Sequence, residues 1–342
     1  MEMHFKEDNG PIEEVIKQLM KLSGGIRRPA IVREMILASL KAGQEDNGKV
    51  DLKLMNTSLK EMRFTAKVFG PYDHLKKVSV FGSARTKLND PLYKTAYDLG
   101  AKLAEIGYMV ITGGGPGIMQ AVHEGAGPDH SFGVSIRLPF EQDSNPVIRG
   151  NSKNIMYKYF FNRKVAFLKE SDAVVIFPGG FGTHDEAMET LALVQTGKHS
   201  PLPIILVDEP EGKYWFNWGK FIKEELLGKN YIKKSDMNLF DFTDSADKAI
   251  KIINKFYSRY HSIRQIGDCY IIRLNEPLEE EKLIDIKNRY GDILKTDGNI
   301  CVSETLPEEI DEPEISNLPR IIIDFNKTDY GKLKQLIDDI NY

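Results

Sequence analysis

Two apolar runs in this chain each pass directly into a glycine-rich turn and then into an amphipathic stretch. Ala173 to Phe177 leads into PGGFGTHDE, Pro178 to Glu186, and Tyr108 to Thr112 leads into GGGPG, Gly113 to Gly117, with a helix expected from Ile118. A buried strand that turns through glycines into a helix is the repeating unit of a parallel α/β sheet, so few other folds are open to the chain. Gly179, Gly180 and Gly182 allow backbone conformations closed to other residues and leave room for a ligand to touch the main chain. The helix behind each turn aims free N–H groups and its positive dipole end into the same space, which suits a phosphate or carboxylate. Two such turns in one sheet suggest a phosphorylated ligand held from both sides.

The pattern recurs over the middle of the chain. Val78 to Phe81, Met109 to Ile111, Gly133 to Ile136, Ala173 to Phe177 and Ile204 to Val207 read as buried parallel strands, with a further strand at Leu239 to Phe242. Pro91 to Gly107, Ile118 to Gly125, Asn154 to Glu170 and His184 to Thr196 read as the connecting helices. Thr243, Asp244 and Ser245 are capping residues for a helix reaching about Tyr260. The expected fold class is α/β, a doubly wound and mostly parallel Rossmann-like sheet. Residues 1–75 carry only helical periodicity, in Ile12 to Leu22, Ile31 to Lys41 and Leu52 to Phe69, and form a helical extension. Residues 261–342 repeat strand and helix on a smaller scale, at Cys269 to Leu274, Glu279 to Tyr290, Ile300 to Val302, Arg320 to Phe325 and from Tyr330. They are expected to form a small α+β domain, with the acidic stretch Glu304 to Pro313 as a solvated loop. The catalytic domain then spans 76–260.

Composition narrows the function classes. The 342 residues carry 46 Lys and Arg against 50 Asp and Glu, a formal charge of −4, so no basic field points to nucleic acid. The two cysteines, Cys269 and Cys301, are expected to be idle thiols. Neither a charged-then-apolar leader at Met1 nor an apolar run near bilayer length is read, so a cytoplasmic, reduced protein without membrane contact is expected. The seven histidines lack metal-ligand spacing, and no lysine is marked out for a Schiff base, so neither metal nor cofactor is expected. The spacing of GGGPG is not G-x-G-x-x-G, and the strand after it carries no carboxylate until Glu141, which argues against a dinucleotide.

TGGGPGIMQAV at Thr112 to Val122, NRK at Asn162 to Lys164 and PGGFGTHDE together resemble the Lonely Guy (LOG) family, over about Lys76 to Tyr260. Its members, long labelled lysine decarboxylases, have a Rossmann-like fold and are nucleoside 5′-monophosphate phosphoribohydrolases. The resemblance implies that Arg163 and Glu186 are catalytic. It also implies that Gly114, Gly115, Gly117, Gly179, Gly180, Gly182 and Thr183 bind the phosphate. Leu138 to Pro146 resembles a base and ribose segment of larger members, which makes Glu141 and Asn145 candidates there. Asp185 and Ala192 depart from Glu and Thr in other members, so base specificity stays open. Homodimers or larger homo-oligomers are implied, with Asn154 to Glu170 near the subunit boundary.

Chemistry is consistent with these residue types. Cleavage of an N-glycosidic bond passes through a ribosyl cation, so a carboxylate near the anomeric carbon stabilises charge and can orient or deprotonate water; Glu186 suits that role. The phosphate fixes the ribose from a distance. Arg163 would hold the phosphate or Glu186, with Lys164 in an electrostatic part. No residue stands out as the acid that protonates the leaving base.

Rival readings remain open for each residue. Thr183 and Glu186 have the spacing of a capping box. Arg163, among Phe160, Phe161 and Phe167, could lie along an aromatic patch. The glycines could serve the turns alone, and His184 could be a plain surface residue. The expected activity is hydrolysis of a nucleoside 5′-monophosphate, most like AMP, to free base and ribose 5-phosphate. The alternative is a binding protein that holds a nucleotide or phosphorylated cofactor without hydrolysis, similar to molybdenum-cofactor carriers, or a nucleotide sensor.

Overall fold

The computed structural model describes residue 5 and residues 10–45, 48–137, 143–309 and 312–341. The chain divides into two compact units, Met1–Arg63 and Phe64–Tyr342. In the first, helices α1 (Pro11–Ser23) and α2 (Pro29–Gln44) each begin on a proline, which loses nothing where a helix has no acceptor for the N–H. Arg33 joins them, its Nε 2.8 and 2.9 Å from the two carboxylate oxygens of Glu13. Helix α3 (Lys49–Phe69) follows.

The second unit is built on a seven-stranded, wholly parallel sheet in the order β4-β3-β2-β1-β5-β6-β7. Its elements are β1 (Lys77–Phe81), α4 (Pro91–Glu105), β2 (Met109–Thr112), α5 (Ile118–Ala126), β3 (Ser131–Ile136), β4 (Asn154–Tyr157), α6 (Phe160–Lys169), β5 (Ala173–Ile176), α7 (Phe181–Gln195), β6 (Ile204–Val207), α8 (Tyr214–Phe221), β7 (Asp241–Thr243) and α9 (Ala246–Phe256). Side chains alternate along each strand, so one strand feeds two cores. Val78 and Val80 of β1 pack with Leu99, Val110 and Val122, while Phe81 packs on the other face with Ile111, Phe132 and Phe167. The doubly wound sheet is as expected. Asp90 caps α4 through its carboxylate to the Leu92 N–H at 2.9 Å, and Ser245 caps α9.

Three local expectations are corrected. Asn154 to Glu170 is not one helix, because its first four residues are the edge strand β4. There Ile155 and Tyr157 are buried while Met156 is 46% exposed, the period-two signature of a strand. The helix expected to reach Tyr260 ends at Phe256, since Tyr260 opens β8 (Tyr260–Ile266). Strand β7 starts at Asp241, after a 3₁₀ segment over Lys234–Leu239.

The C-terminal part is a four-stranded antiparallel sheet in the order β10-β11-β9-β8, comprising β8, β9 (Cys269–Leu274), β10 (Ile300–Ser303) and β11 (Arg320–Ile323). Helices α10 (Glu280–Arg289) and α11 (Tyr330–Ile340) share its core through Ile286, Leu333 and Ile337. Both cysteines are free thiols, on strands separated by β11. The acidic segment expected as a solvated loop sends Glu309 inward instead. That carboxylate is 1% exposed, with Arg320 Nη1 at 2.6 Å and Arg273 Nε at 2.8 Å. Two guanidinium forks give a buried carboxylate the hydrogen bonds it needs away from water. Among the described residues no helix is long and apolar enough to cross a membrane.

Candidate active site

Strand order dictates where a ligand fits. Successive strands build outward from β1 to β4 in one direction, and β5 then joins β1 on its other side. The loops leaving β1 and β5 therefore diverge, which opens a crevice at the carboxyl ends of those two strands. A cavity of about 700 Å³ lies there, walled by Gly82 to Arg85 after β1 and by Gly179 to His184 after β5. Phe81, Gly113, Met119, Arg163, Phe167 and Glu186 complete its lining.

The β5 turn uses its glycines in two ways. A Cβ on Gly179 would lie 2.1 Å from Thr183 Oγ1 and 3.0 Å from the Ser83 backbone nitrogen, so close packing requires glycine. At Gly180 and Gly182 such a Cβ would meet nothing within 4 Å, and neither has a positive φ. Packing does not require glycine at these two; their bareness leaves main chain facing the cavity. Helix α7 begins at Phe181 with Gly180 as its N-cap, so Thr183 and Glu186 sit inside the helix and are not the two ends of a capping box. The Gly180 carbonyl takes the Thr183 and His184 N–H groups at 3.0 and 3.1 Å, and the N–H groups of Phe181 and Gly182, ahead of them in the first turn of α7, border the cavity.

Glu186 is 5% exposed, and its Oε1 lies 3.6 Å from Arg163 Nη2 while its Oε2 lies 3.7 Å from Lys164 Nζ. Burial raises the Glu186 pKa above the ordinary carboxylate value, and Lys164 and Arg163 offset this only in part. Burial lowers the Arg163 pKa against the pull of Glu186 and Asp185. The Arg163 guanidinium stands 4.8 Å from the Phe160 ring centroid and 5.7 Å from that of Phe167, and its Nε is buried without a hydrogen-bond partner. Of the aromatic neighbours read from sequence, Phe160 and Phe167 are in contact, and the approach to Glu186 is present as well. Lys164 bonds Glu189 at 2.7 Å and Asp185 at 2.9 Å. Burial works against its ammonium, but these carboxylates outweigh it and its pKa rises.

The GGGPG turn contributes Gly113 to the lining, whereas Gly114, Gly115 and Gly117 do not line the cavity. Gly117, at φ +68°, packs so tightly that a Cβ would lie 2.3 Å from the Ser83 carbonyl oxygen. Asn145 is buried and braces this turn. Its Nδ2 donates to the carbonyls of Gly114 at 3.1 Å and Gly115 at 3.0 Å, and pairs at 3.1 Å with His123 Nδ1. Burial pushes the His123 pKa down to about 4, so the ring stays neutral and accepts that bond. Glu141 lies outside the described residues.

Two parts of the site escaped the sequence reading. One is the turn Gly82–Arg85, which the FGSAR following the first strand could have signalled. The other is a chain of hydrogen bonds at the α7 terminus, in which His184 Nε2 lies 2.7 Å from Tyr214 Oη, and Tyr214 donates to the Gly179 carbonyl at 2.5 Å. Tyr214 belongs to α8, an element that the sequence reading did not include.

Residues 117–253 match the family model described as "Possible lysine decarboxylase". A probable cytokinin riboside 5′-monophosphate phosphoribohydrolase of Oryza sativa subsp. japonica is 28% identical over 202 residues, covering 57% of this chain and 83% of that protein. A second protein so named, from Arabidopsis thaliana, is 31% identical over 139 residues, covering 39% of this chain and 67% of the relative. Among solved structures, the molybdenum cofactor binding protein of Rippkaea orientalis aligns at 20% identity and a TM-score of 0.37, over 53% of this chain and 96% of that one.

Proposed function

The chain belongs to the Lonely Guy family, and on that premise we propose that it hydrolyses the N-glycosidic bond of a nucleoside 5′-monophosphate, AMP-like in its base, to free base and ribose 5-phosphate. The observation that carries this reading is the Glu186 carboxylate. It lies in the wall of a cavity whose adjoining wall is a helix N-terminus with bare glycines, and two cations stand beside it. An anion at the α7 terminus is the expected seat of the 5′-phosphate. The ribose would then lie over Glu186, which stabilises positive charge developing at C1′ and takes a proton from the attacking water.

A carboxylate whose pKa burial has raised is a better base than an exposed one, and Lys164 and Arg163 beside it favour its charged form. Arg163 Nε, buried without a protein acceptor, adds a donor that a substrate oxygen can meet. Residues 76–260 are the proposed catalytic body. The homologues' names support a phosphoribohydrolase, and the Asp185 and Ala192 departures leave the base open, so a cytokinin nucleotide is not assumed.

The test is release of ribose 5-phosphate from AMP, GMP, IMP, CMP and UMP by the wild type and by Glu186→Gln. Turnover of at least one nucleotide, lost in a folded variant, is expected. Tight binding of nucleotides without turnover would replace this reading with that of a carrier.

A further inference from the structure

Breaking the C1′–N bond leaves an electron pair on the base, and the reaction is slow unless a proton neutralises it. Glu186 is committed to the water side, and Arg163 cannot give up a proton. His184 is the other titratable side chain of α7 in the cavity wall.

Its hydrogen bonds define what it can do. The Gly179 carbonyl only accepts, so the single Tyr214 hydroxyl proton is spent there and Tyr214 Oη accepts from His184 Nε2–H. Nε2 therefore keeps its proton, and Nδ1 is the nitrogen that gains and loses one, with no protein group bonded to it among the described residues. Contacts with the rings of Tyr214 and Trp215, both with centroids at 5.8 Å, hold the imidazole in place.

Position on the helix adds a second argument. His184 and Glu186 are two residues apart, about 200° around the α7 axis, so they flank the helix terminus on opposite sides. Glu186 faces Arg163 and Lys164 of α6, and His184 faces Tyr214 of α8. Helical side chains lean toward the N-terminus, so both reach toward a ligand seated there. Acid on one flank and base on the other is the arrangement that an inverting displacement at an anomeric carbon needs.

We infer that His184 is a catalytic residue of this site, the general acid that protonates the departing base from Nδ1. The inference rests on the phosphoribohydrolase reading above. The C1′–N bond breaks with its electron pair passing to the base, and the Nδ1 proton moves to the base. Water forms the new C1′–O bond and loses its proton to Glu186, which returns it to His184 through solvent. The net change is addition of one water across the glycosidic bond.

The test compares two leaving groups at saturating substrate. AMP needs a proton to release adenine, whereas 4-nitrophenyl ribofuranoside 5-phosphate releases a stable phenolate without one. His184→Ala, folded by circular dichroism, is expected to lower kcat on AMP by about 10²- to 10⁴-fold and leave the nitrophenyl substrate within a few-fold of wild type. Tyr214→Phe should shift the two rates in the same directions, by less. Glu186→Gln should lose both substrates. Equal loss of both in His184→Ala, or a rise in KM alone, would overturn the assignment and leave His184 as a binding or structural residue. Wild type inactive on every nucleotide but active on the nitrophenyl substrate would sink the AMP reading and the acid together. Wild type inactive on both would sink the hydrolase itself.

Discussion

Glu186 Oε1 and Arg163 Nη2 stand 3.6 Å apart, close enough to attract and too far for a short hydrogen bond. Both groups are largely buried, so their attraction is little screened, yet neither is locked in place. A pair held this loosely can open to admit a substrate oxygen at little cost.

Replacing Glu186 by Gln should separate activity from stability. Its pKa is raised in the fold, so its contribution to stability is fully present below its unfolded pKa and lost as pH rises through the folded value. The ionised group is therefore a burden at neutral pH. Thermal unfolding of Glu186→Gln at pH 8 should show a midpoint equal to or above wild type, with turnover abolished; a large drop in midpoint would contradict this.

Arg163→Lys keeps a charge but loses both the guanidinium's contact with the Phe160 and Phe167 rings and the fork that faces Glu186. Removing one preorganised donor from an active site costs about 10²- to 10³-fold in kcat. Steady-state kinetics on the preferred nucleotide should show a loss of that order with a modest change in KM.

The glycines of the β5 turn should divide into two classes. Gly179→Ala forces its methyl against Thr183 and should destabilise the fold by about 1–3 kcal/mol in denaturant unfolding. Gly180→Ala and Gly182→Ala should unfold like wild type and raise KM, because their methyls fill only the space left for the ligand. Equal stability losses at all three positions would contradict the division.

In the C-terminal sheet, Glu309→Ala strands Arg320 and Arg273 without their shared partner. Removing one member of a buried pair costs about 3–5 kcal/mol. Burial works to raise the Glu309 pKa, but the Leu306 N–H and both arginines outweigh it and the net shift is downward. Stability from this group is therefore present above its unfolded pKa and lost as pH falls through the folded one. The wild-type minus variant difference in unfolding free energy should be largest near neutral pH and shrink in acid.

Oligomeric state has its own test. Phe160, Phe161 and Val165 on α6 are 51%, 46% and 49% exposed, an apolar stretch beside the cavity. Light scattering is expected to give a dimer or a larger assembly that Val165→Glu dissociates; a dilution-stable wild-type monomer would end that expectation.

The parts legible in the sequence were those where local chemistry and tertiary placement agree. Buried parallel strands such as Ala173–Ile176 are apolar throughout, and Ser245, one of the capping residues read before the last helix of that sheet, does cap it. Strand β4 was hidden because its four residues run into an aromatic helix without a break, and only its pairing with β3 makes it a strand. Glu309 looked like surface because the partners that bury it, Arg273 and Arg320, are remote in sequence. Within the candidate site, Glu186 and Arg163 were named through motifs. The Asn145 brace on the glycine turn and the Tyr214 link to Gly179 were not, since each joins segments whose proximity depends on the finished sheet.

The join of β1 to β5 bears on how the molecule is made. Val78 pairs with Ala173, 95 residues later by subtraction of their numbers, while β1 also pairs with β2. On the ribosome β1 thus waits with one edge bare until β5 emerges, and a bare parallel edge is slow to pair and quick to aggregate. The crevice at that join therefore comes into being only once β5 and the start of α7 are laid, and a chain stopped before them has no pocket.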